Sequence, residues 1–412
     1  MLLRPPPEKI RDLDKMIIAA IFILVAIGLM AIYSATTALN TPAILKDNFA
    51  KQVIWFTIGV MIASVMVIAP MKFFYKYAYW FYGIGVALLI LVLLIGTGKG
   101  SNRWLVFGPL RLQPSEIAKI ATILALSRFA ASEGIDLRRL RDVGLIFAIV
   151  LVPALLIIKQ PDLGTAIVFF SFAMPMLFWA GLSPFVIFVL LTPLMAMLAS
   201  FHAYSFFLVI ALIIGVLVWL RTRLWIIMAI FALNVAVGVV TPKVWEGMHG
   251  YQRNRILTFV GVSEDPKGTG YQVNQAKVAI GAGGFWGKGW QRGTQTQLRF
   301  LPEQHTDFIF TVIGEEFGFF GVSFVMIVFL ILLLRALMIA ASAKSKFSSL
   351  VVVGCVTAIS VHVIVNMGMC VGVIPVVGIP LPFLSYGGSA LWTNMVIVGL
   401  ILNAGVRRFQ YL

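Results

Sequence analysis

Charged side chains are scarce in this chain, so their positions are informative. Only 12% of the residues are charged and 60% are hydrophobic. Against this background the stretch Tyr251–Gly318 is polar and rich in glycine, and it includes Glu264-Asp265-Pro266-Lys267 and Gly281-Ala282-Gly283-Gly284. Carboxylates serve as general bases, and Arg and Lys bind phosphate groups. We therefore expect the chemistry of this protein, on a diphosphate or another polyanionic ligand, to involve this stretch.

Two smaller groups of charges lie earlier in the chain. Glu116 and Lys119 follow a predicted helix start at Pro114-Ser115 and share one helix face. Burying an unpaired charge costs several kcal/mol, so they are interpreted either as an ion pair that locks the helix or as part of a binding site. Asp162 opens the sixth predicted span, where an N-cap is its simplest role. A second role would be pairing with Lys119 or with a cation of an outer loop.

Structural roles compete with the catalytic one in the polar stretch. Asp265 precedes Pro266, which favours a turn, and a turn-capping aspartate is the simplest interpretation of this position taken alone. Glu303 and Asp307 are likewise interpreted as caps of the long helix that follows.

Several kinds of site are excluded by their spacing. Gly281–Gly289 lacks the first glycine and the final Ser or Thr of a phosphate-binding loop. The four histidines show no metal-ligand spacing and there is no CxxC, so no metal site is predicted. Cys355 and Cys370 lie about 22 Å apart along one predicted helix, too far for a disulfide.

The remainder of the chain predicts an all-α, polytopic integral membrane protein. Twelve windows carry almost no charge and are long enough to cross a hydrocarbon core of roughly 30 Å. Their predicted bounds are 16–35, 52–70, 77–96, 115–131, 143–158, 163–181, 185–201, 204–220, 224–241, 306–334, 349–371 and 389–406. With a mean hydropathy of +0.99, we treat residues 1–412 as a single membrane domain.

The basic residues predict how the chain threads the membrane. The N-terminal tail carries Arg4, Lys9, Arg11 and Lys15, which places it in the cytoplasm by the positive-inside rule. The loops on the cytoplasmic side then hold Lys72, Lys76, Arg128, Arg138, Arg139, Arg141, Arg221, Arg223, Lys344, Lys346, Arg407 and Arg408. Both termini are therefore predicted to be cytoplasmic. The large loop 242–305, before the last three spans, is predicted to lie outside, together with the connections Thr97–Pro114, Lys159–Asp162 and Val373–Gly388.

The outer loop departs from the positive-inside pattern. Between Lys243 and Glu303 it holds eight basic and four acidic residues. A loop of this length can cross a membrane whatever its charge, but clustered cations also suit a polyanionic headgroup. The net charge of +16 does not indicate a nucleic-acid partner, because many cations fall in short loops.

At this point the motifs identify a resemblance. The chain resembles the shape, elongation, division and sporulation (SEDS) family of bacterial cell-wall polymerases. The matching motifs are Asn102-Arg103-Trp104, Gln113-Pro114-Ser115-Glu116 with Lys119, Gln160-Pro161-Asp162-Leu163-Gly164-Thr165, Tyr251-Gln252-Arg253, Asp265-Pro266 with Gly268, Gly270-Tyr271, Gln275 to Gly289, Phe300-Leu301-Pro302-Glu303, His305 to Phe310, Glu315-Glu316, Pro380 to Phe383 and Ser385 to Ser389. The run Gly293–Leu298 is more similar to the RodA-type elongation branch than to the division branch.

The resemblance implies an activity and the residues that carry it. It implies an inverting peptidoglycan glycosyltransferase of the bacterial cytoplasmic (inner) membrane, which polymerises lipid II, the undecaprenyl-diphosphate disaccharide-pentapeptide, on the outer face during cell elongation. By its motif Asp265 is the catalytic base, and the polyprenyl diphosphate is the leaving group. The family's cation cluster falls on Arg103, Arg111 and Lys119, with Glu116 as partner. Asp162, Lys277, Lys288 and His305 complete the predicted substrate-binding set.

The resemblance also implies partners for this chain, and the chain departs from the family in its number of spans. It implies a class B penicillin-binding protein transpeptidase and the elongation machinery as partners, since this chain has no Ser-x-x-Lys transpeptidase domain. No cofactor is specified, and a requirement for Mg²⁺ or Mn²⁺ is left open. The family has ten spans, so two of those between Gly181 and Thr241 are extra. The alternative functions are a flippase for a lipid-linked sugar and a silent scaffold.

Overall fold

The structure is a computed structural model that describes residues 13–37, 45, 47–97, 103–107, 110–137, 139–247, 250, 253, 257 and 269–410. The described part is almost entirely helical, as predicted. The helices are α1 (Lys15–Thr36), α2 (Asn48–Ile68), α3 (Met71–Ile95), α4 (Pro114–Ala131), α5 (Leu140–Lys159), α6 (Leu163–Trp179), α7 (Pro184–Ala199), α8 (Ala203–Trp219), α9 (Leu224–Gly247), α10 (Thr269–Gly283), α11 (Thr294–Leu298), α12 (Ile309–Ser342), α13 (Lys346–Val371) and α14 (Gly388–Val406).

Every predicted span coincides with a helix, because long apolar runs leave the backbone no partner in lipid except itself. Among the described residues, eight helices are long and apolar enough to cross a membrane. Helices α6, α7 and α8 are apolar but shorter, and α4 carries buried charges in place of a uniform apolar surface. The total of about twelve spans stays a prediction.

Residues 1–180 and 266–412 form one compact unit whose core is α13. This helix packs against α4, α6, α12 and α14. Gly354 allows the close approach, since a Cβ there would lie 2.6 Å from the Ile123 side chain of α4 and 2.8 Å from the Met176 sulfur of α6. Cys355 and Cys370 lie buried on α13 and are not joined, as predicted.

The segment 373–388, predicted as an outer connection, folds back into this core. Residues 381–385 are buried although they form no regular element. A Cβ at Gly28 of α1 would lie 2.7 Å from the Leu384 Cα, and one at Gly164 of α6 would lie 2.8 Å from the Val377 carbonyl oxygen. We call this segment the inner loop. Several of its backbone groups bond to side chains of the surrounding helices, namely Gln52 of α2 and His362 and Asn366 of α13. Such bonds are the condition for burying irregular structure.

Helix α12 is interrupted at Gly318, whose φ of 65° and ψ of −160° are not helical. The backbone groups freed by this break bond to the glycine-rich turn after α10. Lys288 N and Gly289 N donate to the carbonyls of Glu315 and Glu316, while Phe319 N and Phe320 N donate to those of Gly284 and Phe285. The break in α12 and the turn after α10 therefore satisfy each other's backbone groups. We call this arrangement, residues 284–289 with 315–320, the α12 junction.

Two predicted outer connections contain regular structure that the sequence analysis did not anticipate. The segment before α4 forms an antiparallel pair, β1 (Leu105–Phe107) with β2 (Leu110–Leu112), in which Val106 faces Arg111. The loop 242–305 contains α10 and α11.

Residues 181–265 form a second compact unit. In its described part α7, α8 and α9 pack around Ile213, Leu217 and Ile230. The Asn234 amide donates to the Thr192 hydroxyl at 3.0 Å and so joins α9 to α7. The two extra spans are predicted within this unit, and which two they are stays a prediction.

Candidate active site

The first turns of α4 bury a charged pair. Pro114 occupies the first position of the helix, which suits its fixed φ and missing N–H. One turn further, the Lys119 Nζ lies 3.0 Å from Glu116 Oε1, and both side chains are over 90% buried. The predicted ion pair is therefore present. A buried pair needs further hydrogen bonds to offset the loss of water around both charges.

His362 of α13 supplies one of those bonds. Its Nε2 lies 3.0 Å from Lys119 Nζ, and its Nδ1 lies 3.3 Å from the Pro380 carbonyl oxygen of the inner loop. A carbonyl only accepts, so Nδ1 carries the proton and the Nε2 lone pair faces the ammonium group. The inner loop thereby sets the histidine tautomer that holds Lys119.

A second charged pair lies where α6 begins. Asp162 caps α6 as predicted, accepting from Thr165 N at 3.2 Å and from the Thr165 hydroxyl at 2.9 Å. Arg103 Nη1 also lies 3.8 Å from Asp162 Oδ1, which confirms the second role, with Arg103 and not Lys119 as the cation. Arg103 also donates to the carbonyls of Gln160 and Pro161.

Gln113 connects the two pairs. It precedes α4, and its side-chain amide lies 3.4 Å from Asp162 Oδ2 while its backbone N–H donates to the Ser389 hydroxyl at 3.3 Å. The Gln113 carbonyl also accepts from Glu116 N at 3.0 Å, so this one residue joins the starts of α4, α6 and α14.

Arg111 and His305 approach Tyr386 of the inner loop. The His305 ring lies 5.6 Å from the Tyr386 ring, and the His305 carbonyl accepts from Tyr386 N at 3.0 Å. Burial raises the pKa of the Tyr386 phenol, and the positive charge of Arg111 partly offsets this rise. Burial lowers the pKa of His305, an effect that Glu303 opposes and Arg299 reinforces.

Lys288 belongs to a different cluster, at the α12 junction. Its Nζ lies 3.1 Å from Glu315 Oε1, and the same carboxylate accepts from Gln295 N and Thr296 N at the start of α11. Glu315 is fully buried, so Lys288 is held as its partner. The adjacent Glu316 accepts from the Ser34 hydroxyl of α1.

The remaining predicted residues have mixed outcomes. Lys277 is exposed on α10, with its aliphatic chain against Gly372 at the end of α13. Asp265 lies outside the described residues. The prediction that Glu303 and Asp307 cap α12 is wrong, because the capping residue is Phe308, which makes no side-chain cap bond. Among the described residues, no group of three or more His, Cys, Asp or Glu forms a metal site.

The sequence predicts His362 only in general terms, as a packed or hydrogen-bonded residue within an apolar span, where polar residues usually have a partner. For Gln113 it indicates no role beyond the motif that contains it. What the sequence could not show is that the partner of His362 is Lys119, 243 positions away.

Comparison with known proteins places these residues in a family. The family described as "Cell cycle protein", FtsW/RodA/SpoVE, matches residues 14–209 and 184–410. The chain belongs to the FtsW/RodA/SpoVE family. Its two matches overlap over residues 184–209, which lie in the second compact unit.

Relatives in this family align over most or nearly all of the chain. The peptidoglycan glycosyltransferase MrdB of Escherichia coli K12 is 37% identical over 75% of this chain and 72% of the relative. The peptidoglycan glycosyltransferase RodA of Treponema pallidum is 33% identical over 97% of this chain and 99% of the relative. The stage V sporulation protein E of Bacillus subtilis is 32% identical over 95% of this chain and 96% of the relative.

Solved structures of family members share the fold. A chain from a peptidoglycan synthase complex that coordinates polymerization and crosslinking superposes with a TM-score of 0.73 at 28% identity, covering 97% of this chain and 99% of that one. The rod shape determining protein RodA of Thermus thermophilus superposes with a TM-score of 0.64 at 24% identity, covering 97% and 98%. The second likeness shows the fold alone.

Proposed function

We propose that this protein is a peptidoglycan glycosyltransferase that polymerises lipid II during cell elongation. The observation that carries the proposal is its 33% identity, over 97% of its length, to a RodA that is named for this activity. The arrangement of charges supports it, because two ion pairs with buried carboxylates lie in the first turns of α4 and α6, which Gln113 joins. A site for a polyanionic ligand needs such a fixed electrostatic frame.

The proposed reaction forms one glycosidic bond and breaks one. The hydroxyl oxygen of the acceptor sugar attacks the anomeric carbon of the donor, with inversion, while the bond from that carbon to the polyprenyl diphosphate breaks. Asp265 takes the hydroxyl proton. The diphosphate leaves with the bonding electrons, and nearby cations stabilise its charge.

The described contacts divide the predicted cations into two kinds. Lys119 and Lys288 each hold a buried carboxylate, and Arg103 is bound to Asp162 and two carbonyls. Arg111 and Lys277 are exposed, and neither forms an ion pair within the described part of the chain. We assign diphosphate binding to Arg111 and Lys277, and we assign the maintenance of the site's shape to the first three.

The decisive experiment is polymerisation of purified lipid II by purified protein in liposomes. Asp265→Asn keeps an oxygen that can cap a turn but lacks the basicity to take a proton, so the rate is expected to fall by about 10² to 10⁴ while lipid II still binds. Glu264→Gln is the matched control and is expected to retain the rate. A nearly normal rate for Asp265→Asn would assign that residue to the turn.

The same preparation distinguishes the rival function. A flippase would move fluorescent lipid II between the leaflets of the liposome without forming polymer. Transport without polymer would replace the proposal, whereas polymer formation without transport supports it. Repeating the assay with a chelator, and then with added Mg²⁺ or Mn²⁺, tests the open question of a divalent cation.

The partner and the orientation complete the proposal. A solved relative comes from a complex that coordinates polymerization and crosslinking, which supports a crosslinking partner. We propose that this partner is a class B penicillin-binding protein, that both termini are cytoplasmic and that the site faces outward. Adding the partner is expected to raise polymerase activity. An unchanged rate would count against functional coupling.

A further inference from the structure

The α12 junction presents an exposed aromatic surface that none of the roles above explains. Four rings line it: Phe285, Trp286, Phe319 and Phe320, which are 68%, 80%, 59% and 53% exposed. Trp286 stacks on Phe320 at 4.6 Å, and Phe285 contacts Phe319 edge-on at 5.7 Å. We call these residues the aromatic cluster. Rings this exposed are costly in water, so a partner is expected.

Backbone hydrogen bonds fix the position of the aromatic cluster. Its two halves come from the turn after α10 and from α12, and they are joined by the bonds of Phe319 N and Phe320 N to the carbonyls of Gly284 and Phe285. Gly318 permits this contact, because a Cβ there would lie 2.3 Å from Gly287 N. The rings therefore have a fixed position relative to α12.

The length of α12 gives the depth of the aromatic cluster in the membrane. From Phe319 to Arg335 there are sixteen residues, or about 24 Å of helix. Arg335 binds Asp14, at 2.7 Å, and so marks the charged end where α1 begins. A hydrocarbon core is roughly 30 Å thick. Because a long Arg side chain can reach toward the headgroups, the cluster lies about one core thickness from that end.

Helix α1 gives an independent measure. The Trp290 indole, at the end of the same turn, donates to the Met30 carbonyl at 3.1 Å and lies 5.7 Å from the Tyr33 ring. These residues lie about 22 to 27 Å along α1 from Lys15. The two helices therefore place the turn at the same depth, near the membrane boundary opposite Asp14.

We propose that the aromatic cluster binds the lipid–water interface of that leaflet and fixes the depth of the α12 junction. Trp and aromatic rings prefer this level, where their bodies are apolar and the surroundings are partly wet. The exposed Arg292 follows the turn and adds a charge that suits lipid phosphates. This inference concerns seating in the membrane and stands whether or not the chain polymerises lipid II.

The test uses the full chain in liposomes with a depth-sensitive fluorophore. Phe285→Cys in the turn and Phe320→Cys in α12 are each labelled with a nitrobenzoxadiazole maleimide. Nitroxide lipids carry the quencher either at the headgroup or at acyl carbon 12. Ile327→Cys, exposed and about 12 Å further along α12, is the deep control, and Glu133→Cys, in an exposed loop, is the aqueous control. The unmodified chain, with its two buried cysteines, is the labelling blank.

At Phe285 and Phe320 the headgroup quencher is expected to act more strongly than the acyl quencher, with the opposite order at Ile327 and little quenching at Glu133. Two results would overturn the proposal. Absence of quenching by both lipids at both cluster positions would place the rings in water or beneath another protein. Stronger quenching by the acyl lipid, as at Ile327, would place them in the hydrocarbon core.

Discussion

At the scale of single residues, the structure makes His362 a positioning residue for Lys119. Its imidazole is held by the Pro380 carbonyl and faces the ammonium group. His362→Phe removes this bond and leaves Glu116 as the ammonium group's partner among the described residues. Losing a hydrogen bond to a charged group costs about 1.5 to 3 kcal/mol, so the polymerisation rate is expected to fall by about one to two orders of magnitude.

The conservative variant distinguishes positioning from packing. His362→Gln retains a side-chain oxygen that can accept from Lys119, so it is expected to recover much of the rate that His362→Phe loses. Separate values of kcat and KM are needed, together with the melting temperature of each variant. Equal losses in both variants, matched by equal losses of thermal stability, would assign His362 to packing.

His305 gives the stability of the protein a pH dependence. Burial lowers its pKa in the folded protein below the ordinary 6.5, so the unfolded chain takes up the proton first as pH falls. Its contribution to stability is complete above pH 6.5 and is lost as pH falls through the lowered value. The loss of melting temperature from pH 7.5 to pH 5.5 is therefore expected to be smaller in His305→Gln than in the unmodified protein. An equal loss in the variant and in the unmodified protein would show that His305 does not contribute to this pH dependence.

At the scale of elements, hydropathy predicted the helices well and their interruptions poorly. The ends of α13 and α14 fall within three residues of the predicted bounds, since long apolar runs identify such helices. Helix α10 was missed because Gly and polar residues dilute its apolar face. The inner loop was predicted as an outer connection, and its side of the membrane stays a prediction. Its burial was not predicted, because it depends on side chains such as Asn366, which bonds to the Ile379 carbonyl from another element.

The α12 junction is the element whose geometry depends most directly on one residue. Gly318 adopts a backbone conformation that is almost restricted to glycine, and an added Cβ would meet Gly287 N. Gly318→Ala is expected to destabilise the fold by about 1 to 3 kcal/mol, measured as a lower melting temperature in detergent.

The matched control is Gly144→Ala in α5. That glycine is exposed and helical, and nothing lies within 4 Å of an added Cβ. Because alanine suits a helix better than glycine, the control is expected to be neutral or stabilising by up to about 1 kcal/mol. Equal melting temperatures for the two variants would show that the break does not depend on Gly318.

At the scale of the whole molecule, the threading is testable apart from any activity. The distribution of Lys and Arg predicts a cytoplasmic N-terminus and an outer loop 242–305. In intact cells an impermeant thiol reagent is expected to label Lys277→Cys, which lies on exposed α10, and to label Lys9→Cys only after the cells are opened. Labelling of Lys9→Cys in intact cells would reverse the threading.

Sequence motifs predicted the local roles of some residues but not the contacts that join different elements. Asp162 and Glu116 were placed correctly, as a cap and as an ion-pair partner, because both roles depend on residues within one helix turn. The link from Arg103 to Asp162 was only one of two alternatives, since it joins different elements. The ion pair of Lys288 was not predicted, because its buried partner Glu315 is 27 residues away.

The inner loop has a consequence for how this protein tolerates change. Helices α1, α2, α6 and α13 all rest on it: Gly28 and Gly164 contact its backbone, Gln52 bonds to Ser385 and Gly387, and Asn366 bonds to Ile379. One inserted residue at positions 379–386 would shift the attachments before it relative to those after it, so they could not all form together. The same insertion at Gly134, with open space around it, would disturb one surface turn. Mutational robustness is therefore uneven: lengthening is absorbed on the surface loop, whereas the inner loop has a fixed length.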